Sequence, residues 1–482
     1  MEHPWLREPA KAGLEEWVSP ALAVANGLEN GKGRGLVVTR PVAALDVLIV
    51  AQAFAVAPVQ EICSKVLQLL TDPSVCPRKK AQFLALSSGD GELTPVDIGW
   101  FCDGPFAAPP EVDASRVRRI LEVNTQDMSC AAAAAGLEAS AGSITEPRRE
   151  EDQCGVWLLP SLLNHSCAPN TSFVLLGRDT VCVFAARDLE AGTEVTDSYA
   201  DLFCPRRARQ EELLRQKGFV CACCRCEAEA RLPPAEVDRI LDRQVKADHL
   251  LSLGGPEGIG RWLEVADLVQ EAAAALTAAA KEGGGEAPML RAALLPADIS
   301  VARTLQCFTS AHPELGTLGG RAARACLQAA SLIEALAPWS VHHISFLWMG
   351  LQMWLRAGAS DSPPARATAF ALAVAWCGRH GASLGWPGNL PELCLEAFGR
   401  RDTSGAAAGV LRAALDRLVA LSLASGPPKA GRSSQQLLRQ IRGAATLAAV
   451  AAPAAPSPPA HSAVALEGQE GNQTGPDSPN VT

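Results

Sequence analysis

The sequence predicts a mixed α+β chain, β-rich over its first two hundred residues and helical beyond them. Three observations carry that division. Before residue 203, short apolar runs recur between Gly and Pro. After Cys226, apolar residues repeat at spacings of three and four. From about Gly426 onward the chain is Pro, Ala, Gly and Ser, which offers too little apolar surface to offset the entropy of ordering.

Taken in order, Val37–Thr39 and Val47–Val50 read as short strands. Val59–Leu70 and Arg116–Val123 carry helical spacing. Residues 131–155, small and then charged at Glu146–Asp152, read as a surface loop. Phe173–Leu176 and Val181–Phe184 straddle Gly177-Arg-Asp179 and read as a hairpin, with a further strand at Thr193–Thr196. Past Cys226, Val237, Ile240, Leu241 and Val245 share one face, as do Trp262, Leu263, Val265, Leu268, Val269 and Leu276. Helical patterns continue through 322–336, 343–356, 365–379 and 406–422, separated by Pro and Gly. Stacked helix pairs, including a tetratricopeptide-like (TPR-like) arrangement, fit this pattern, although no clean period runs through it. Gln435–Ile441 is expected to add one or two helical turns, and residues 451–482 to be disordered.

The formal charge of −9 argues against nonspecific nucleic-acid binding through a basic surface. No secretory signal opens the sequence and no long apolar run suits a membrane span, so a cytoplasmic or nuclear protein is expected. Sixteen cysteines then read as reduced thiols and metal ligands. The sequons at Asn170, Asn472 and Asn480 read as accidental. The basic clusters Pro77–Lys80 and Pro205–Arg209 read as solvated surface.

Cys221, Cys223 and Cys226 form C-x-C-x-x-C, three thiolates on one tight loop. Zinc takes four N or S ligands in a tetrahedron, so one position must be filled from elsewhere. Cys167, following Asn164-His165-Ser166, is the best candidate, and Cys224 breaks the spacing. Gly31-Lys-Gly-Arg-Gly35 leads into a strand, and its glycines allow a backbone to approach a ligand closely. Tyr199 is the only tyrosine of the chain and lies between the Asn-His-Ser-Cys turn and the cysteine knuckle. A phenol can donate, accept, or act as a weak acid, which makes Tyr199 the first suspect for chemistry.

The ordered set resembles the SET domain of protein lysine methyltransferases, and more narrowly its SET-and-MYND-like branch. Gly31–Leu36 is similar to the cofactor loop, Leu159–Asn170 to the central motif, Asp188–Tyr199 to the strand entering the catalytic tyrosine, and Phe219–Cys226 to the post-SET zinc knuckle. With only Cys63, Cys76 and Cys102 in 52–112, no MYND finger is expected. Lys217 stands where many relatives carry an aromatic, which takes one ring from the wall of the lysine channel. The resemblance implies an N-terminal segment at 1–16, a SET domain at 17–203 with a helical insertion near 53–155, and a zinc knuckle at 204–228. A helical domain would follow at 229–425 and a tail at 426–482.

It further implies methyl transfer from S-adenosylmethionine to a lysine of a histone or another protein. Tyr199 would be catalytic and would also face the cofactor. Lys32, Gly33, Arg34, Asn124, Asn164, His165 and Phe219 would bind the cofactor, and Cys167, Cys221, Cys223 and Cys226 would hold structural zinc. The expected partners are a lysine-bearing protein substrate and a protein docked on the helical domain, with no direct nucleic acid and no membrane. The competing class is a weak or inactive SET-fold adaptor acting through the helical domain.

Overall fold

A computed structural model of the chain describes residues 16–28, 32–89, 91, 93–102, 104–105, 112–127, 153–176, 179–252, 256–283, 287–311, 316–359, 362–384 and 406–424. Gly31, residues 131–152 of the loop expected over 131–155, and the tail with Gln435–Ile441 lie outside the described residues.

Eleven strands are described: β1 (Trp17–Val18), β2 (Leu22–Leu28), β3 (Gly33–Val38), β4 (Val47–Gln52), β5 (Ala55–Pro58), β6 (Gln126–Asp127), β7 (Gln153–Val156), β8 (Asn164–His165), β9 (Thr171–Leu176), β10 (Thr180–Ala185) and β11 (Glu194–Asp197). They form three small sheets, ordered β1-β4-β10-β9, β2-β3-β11-β8 and β5-β7-β6. The expected hairpin is β9–β10, antiparallel from Thr180 opposite Leu176 to Ala185 opposite Thr171. Its second strand is buried at every position, as a central strand rich in Val and Phe should be. The glycine segment is already strand from Gly33, whose φ of +71° suits a residue without a Cβ.

Between β5 and β6 lie α1 (Ile62–Thr71), α2 (Pro77–Leu84) and α3 (Ala114–Asn124). Helix α3 begins where Asp113 accepts the backbone N–H groups of Ser115 and Arg116, the satisfied N-cap that the Asp-x-Ser pattern allows. Residues 153–155, expected within a loop, are strand instead. Cys154 lies opposite Ala57 and its thiol donates to the Ala57 carbonyl at 3.4 Å, across 97 positions of chain. Ladder hydrogen bonds with a distant strand outweigh the loop-like composition here.

The second half is helical, as expected: α4 (Arg206–Lys217), α5 (Cys224–Ala230), α6 (Pro234–Ser252), α7 (Pro256–Gly283), α8 (Ala287–Arg291), α9 (Leu295–Ala311), α10 (Gly316–Leu336), α11 (Val341–Arg356), α12 (Pro363–Leu384) and α13 (Ala406–Ala424). From α9 to α13, each helix packs on the next. Small residues allow the close approach: a Cβ on Gly378 would lie 2.5 Å from the Trp339 ring. Among the described residues, no helix is long and apolar enough to cross a membrane.

One apolar core joins the two halves, running from Val174, Cys182 and Phe184 to Leu332, Trp339 and Ile344. Buried Arg379 of α12 pins the junction. It donates to the carbonyls of Phe173 at 2.6 Å and Trp339 at 2.8 Å, and to Ser172 Oγ at 3.1 Å. Burial pulls its guanidinium down to about 10, so each acceptor matters. Arg379→Leu is expected to cost about 3 kcal/mol, because it leaves buried oxygens without a donor. A shift of the urea midpoint measures it.

Candidate active site and metal centre

The cysteines meet because α4 and α5 fold the chain back over the turn after β8. Helix α4 stops at Gly218, in the left-handed region at φ 76°, as a helix C-terminus commonly does. Gln210 then holds Cys221 from both sides: its amide donates to the Cys221 carbonyl and accepts the Cys221 N–H, each at 2.7 Å. Cys223 precedes α5 and Cys226 lies within it, so the expected tight loop is half helix. The Sγ atoms of Cys167, Cys221, Cys223 and Cys226 all lie within 4.8 Å of one another. Cys226 and Cys167 are 3.5 Å apart. Sulfurs on a tetrahedral zinc would stand about 3.8 Å apart, so the donor set and its size fit zinc. Four thiols this close share negative charge. Hydrogen bonds from Cys167, then Cys221 and Cys226, drive Cys223 far below the usual thiol range, while the other three are pushed up.

Arg209 was expected on the solvated surface and is fully buried instead. Its Nε donates to Cys167 Sγ at 3.3 Å, and its Nη2 to Glu229 at 2.6 Å. Arg225, equally buried, donates to the other Glu229 oxygen at 2.8 Å and to the carbonyls of Leu202 and Ala292. A divalent ion on four thiolates leaves two negative charges, and the Arg-Glu-Arg triad returns one positive charge to that site. The need to balance sulfur is the physical reason a guanidinium leaves water here. Arg209→Leu is expected to destabilise the fold by about 3–5 kcal/mol and to hasten zinc loss to a chelator. Thermal melting and a metallochromic dye report the two effects.

The turn that supplies Cys167 also builds the tyrosine site. β8 runs parallel to β11, placing Asn164 opposite Thr196 and His165 opposite Asp197. Asn170 locks the pairing: its amide donates to the Glu194 carbonyl at 2.7 Å and accepts the Thr196 N–H at 2.8 Å. Where β11 ends, the Tyr199 N–H donates to His165 Nδ1 at 2.9 Å. That bond puts the imidazole proton on Nε2, which faces Cys167 Sγ at 3.2 Å. Burial holds His165 down to about 4, so the ring is neutral. The Tyr199 hydroxyl donates to the Leu163 carbonyl. Burial first, then the Asp197 and Glu194 carboxylates, push the phenol up, so it remains protonated. Burial also raises Asp197 to about 6.

Asn164 donates to the Arg34 carbonyl and to Glu194, both at 2.9 Å. Gly35 makes room for it, since a Cβ there would lie 2.6 Å from Asn164 Nδ2. Lys32 pairs with Glu194 at a partly exposed edge. The Arg34 side chain turns inward to the carbonyls of Thr94 at 2.5 Å and Ala85 at 2.7 Å, leaving only its backbone beside Asn164. Phe219 lies 6.0 Å from His165, ring to ring, and Tyr199 lies 5.4 Å from it. Asn124 spends its amide on the carbonyls of Ser87 and Ile120. Lys217, expected merely to lack a ring, lays its ammonium over the Tyr199 ring, 5.3 Å from the centroid.

Asn164, His165, Tyr199 and Phe219 thus share one place, which Lys32 reaches through Glu194 and the Arg34 carbonyl through Asn164. Arg209, Glu229, Glu194 and the position of Lys217 were missed by sequence reasoning. For Arg209 a signal existed: with Leu213 it is one of the two buried positions of α4, at helical spacing.

Residues 33–200 match the SET domain family. Over 83 residues the chain is 42% identical to histone-lysine N-methyltransferase set5 of Schizosaccharomyces pombe, covering 17% of this chain and 26% of that protein. Over 89 residues it is 40% identical to histone-lysine N-methyltransferase SMYD3 of Homo sapiens, covering 18% and 21%. A SET and MYND domain-containing protein of Dictyostelium discoideum is 35% identical over 86 residues, covering 17% and 16%. The chain therefore spans about a quarter or less of the length of each of these relatives.

Proposed function

From a chain that carries a SET domain, we propose a protein-lysine N-methyltransferase that uses S-adenosylmethionine. The observation that carries this reading is the Tyr199 hydroxyl, fixed at the end of the β8–β11 pair beside Asn164 and His165. The residues present suit the cofactor. Lys32 and Glu194 stand together at an accessible edge, one charge of each sign, as an amino-acid end requires. When bound, S-adenosylmethionine supplies the electrophilic methyl group.

The chain's own residues supply position. Tyr199 commits its proton to Leu163, so its oxygen presents lone pairs to an incoming amine and orients the N–H bonds. A protonated phenol is no base. The acceptor must arrive neutral, although a lysine in water titrates at about 10.4. The apolar surfaces of Phe219 and Leu202 beside Tyr199 disfavour the ammonium form. Orientation then replaces a bimolecular encounter. The proposed acceptor is a lysine of a histone or another protein, met in the cytoplasm or nucleus. A protein partner on the helical domain is part of the same proposal.

The adaptor reading draws on Lys217, which covers one face of Tyr199. Calorimetry separates the two: the zinc-loaded chain should bind S-adenosylmethionine with measurable heat, and no affinity would leave the adaptor.

A further inference from the structure

Lys217 is the last residue of α4, and Gly218 turns the chain away immediately after it. Its Nζ donates to the Val123 carbonyl at the end of α3 and lies over the Tyr199 ring. Lysine is a flexible point charge on a four-carbon stem, so this placement requires specific holding. The carbonyl takes one of three N–H donors and the ring face attracts the charge. Lys217 is half-buried, so water reaches it. A lysine nitrogen of the chain itself thus lies over the ring, 5.3 Å from its centroid, of the side chain whose hydroxyl is proposed to orient an acceptor amine.

We propose that Lys217 is an internal methyl acceptor, modified within its own chain. The inference rests on the methyltransferase reading above. The ammonium first gives a proton to water. The nitrogen lone pair then forms the N–C bond as the methyl–sulfur bond breaks, with that bond's electron pair staying on sulfur. The products are N-methyl-lysine at position 217 and the demethylated thioether. A tethered amine needs no encounter, so its transfer should outpace that to a free peptide at ordinary concentration. Methylation retains the charge, so the product nitrogen remains attracted to the Tyr199 ring.

The test incubates the full-length, zinc-loaded chain with methyl-labelled S-adenosylmethionine and an array of lysine peptides, then maps label by tandem mass spectrometry. The expected result is a methyl mass increment on the peptide containing Lys217, absent from Lys217→Arg and from Tyr199→Phe. Wild-type chain mixed with tagged Tyr199→Phe chain should leave the tagged Lys217 unlabelled, which supports transfer in cis. Label on array peptides with none on Lys217 overturns this inference and leaves the methyltransferase standing. Label on Lys217 that survives Tyr199→Phe means spontaneous alkylation, and label on the tagged chain means transfer between chains; either overturns it. Absence of all label together with absence of binding heat overturns both readings.

Discussion

Cys223→Ser should lower the melting temperature by about 10 °C or more and remove the bound zinc. Serine keeps the shape but offers a poor ligand, and the remaining three sulfurs do not close a tetrahedron. The effect is large because metal energy at such a site is folding energy. The four sulfurs join the turn after β8 to the segment that opens α5, and Arg209, Arg225 and Glu229 are buried around them. Without the metal-bound thiolates, the buried arginines lose the charge that justifies their burial. Atomic absorption and calorimetry measure the two outcomes, and an unchanged melting temperature would refute a structural metal centre. Cys224→Ser, at an exposed thiol next to Cys223 but outside the four-sulfur set, should change neither.

Tyr199→Phe should reduce methyl transfer by about 10²-fold to 10³-fold or more, while the affinity for S-adenosylmethionine changes little. The ring stays, so its contacts with His165 and Lys217 stay. What leaves is the hydroxyl that Leu163 holds in place. Labelled cofactor with whole-cell extract, compared between wild type and variant, reads the rate. Calorimetry reads the affinity. Equal loss in both would mean the hydroxyl builds the cofactor site and does not orient the acceptor.

The cysteine knuckle was legible because zinc imposes ligand type and spacing on neighbouring residues. Cys167 was within reach because only one ligand was wanting. Tyr199, Asn164 and His165 were legible as an ordered set. Arg209 was not. In a run of arginines, composition points to water, and only the sulfur across 42 positions reverses that preference. The β5–β7 pairing was hidden for a related reason: a short strand is stabilised by a partner that local pattern cannot name. Lys217 shows the limit most clearly. Its departure from an aromatic was visible, yet where the charge goes is set by the Val123 carbonyl of another helix. The division into β-rich and helical halves was visible in periodicity. The core they share depends on Arg379 and Trp339 reaching back to β9 and to the residue following β10.

The bond from Tyr199 to His165, and from His165 towards Cys167, has a bearing on biosynthesis. Cys167 meets Cys226 across 59 positions, and Arg225 reaches on to Ala292. A ribosome makes the tyrosine, the histidine and the first sulfur early. The tyrosine and histidine can pair at once, but the first sulfur waits for its partners. A nascent chain paused before residue 221 therefore exposes an uncapped Cys167 thiol, and the metal centre matures in one late step when the remaining sulfurs arrive.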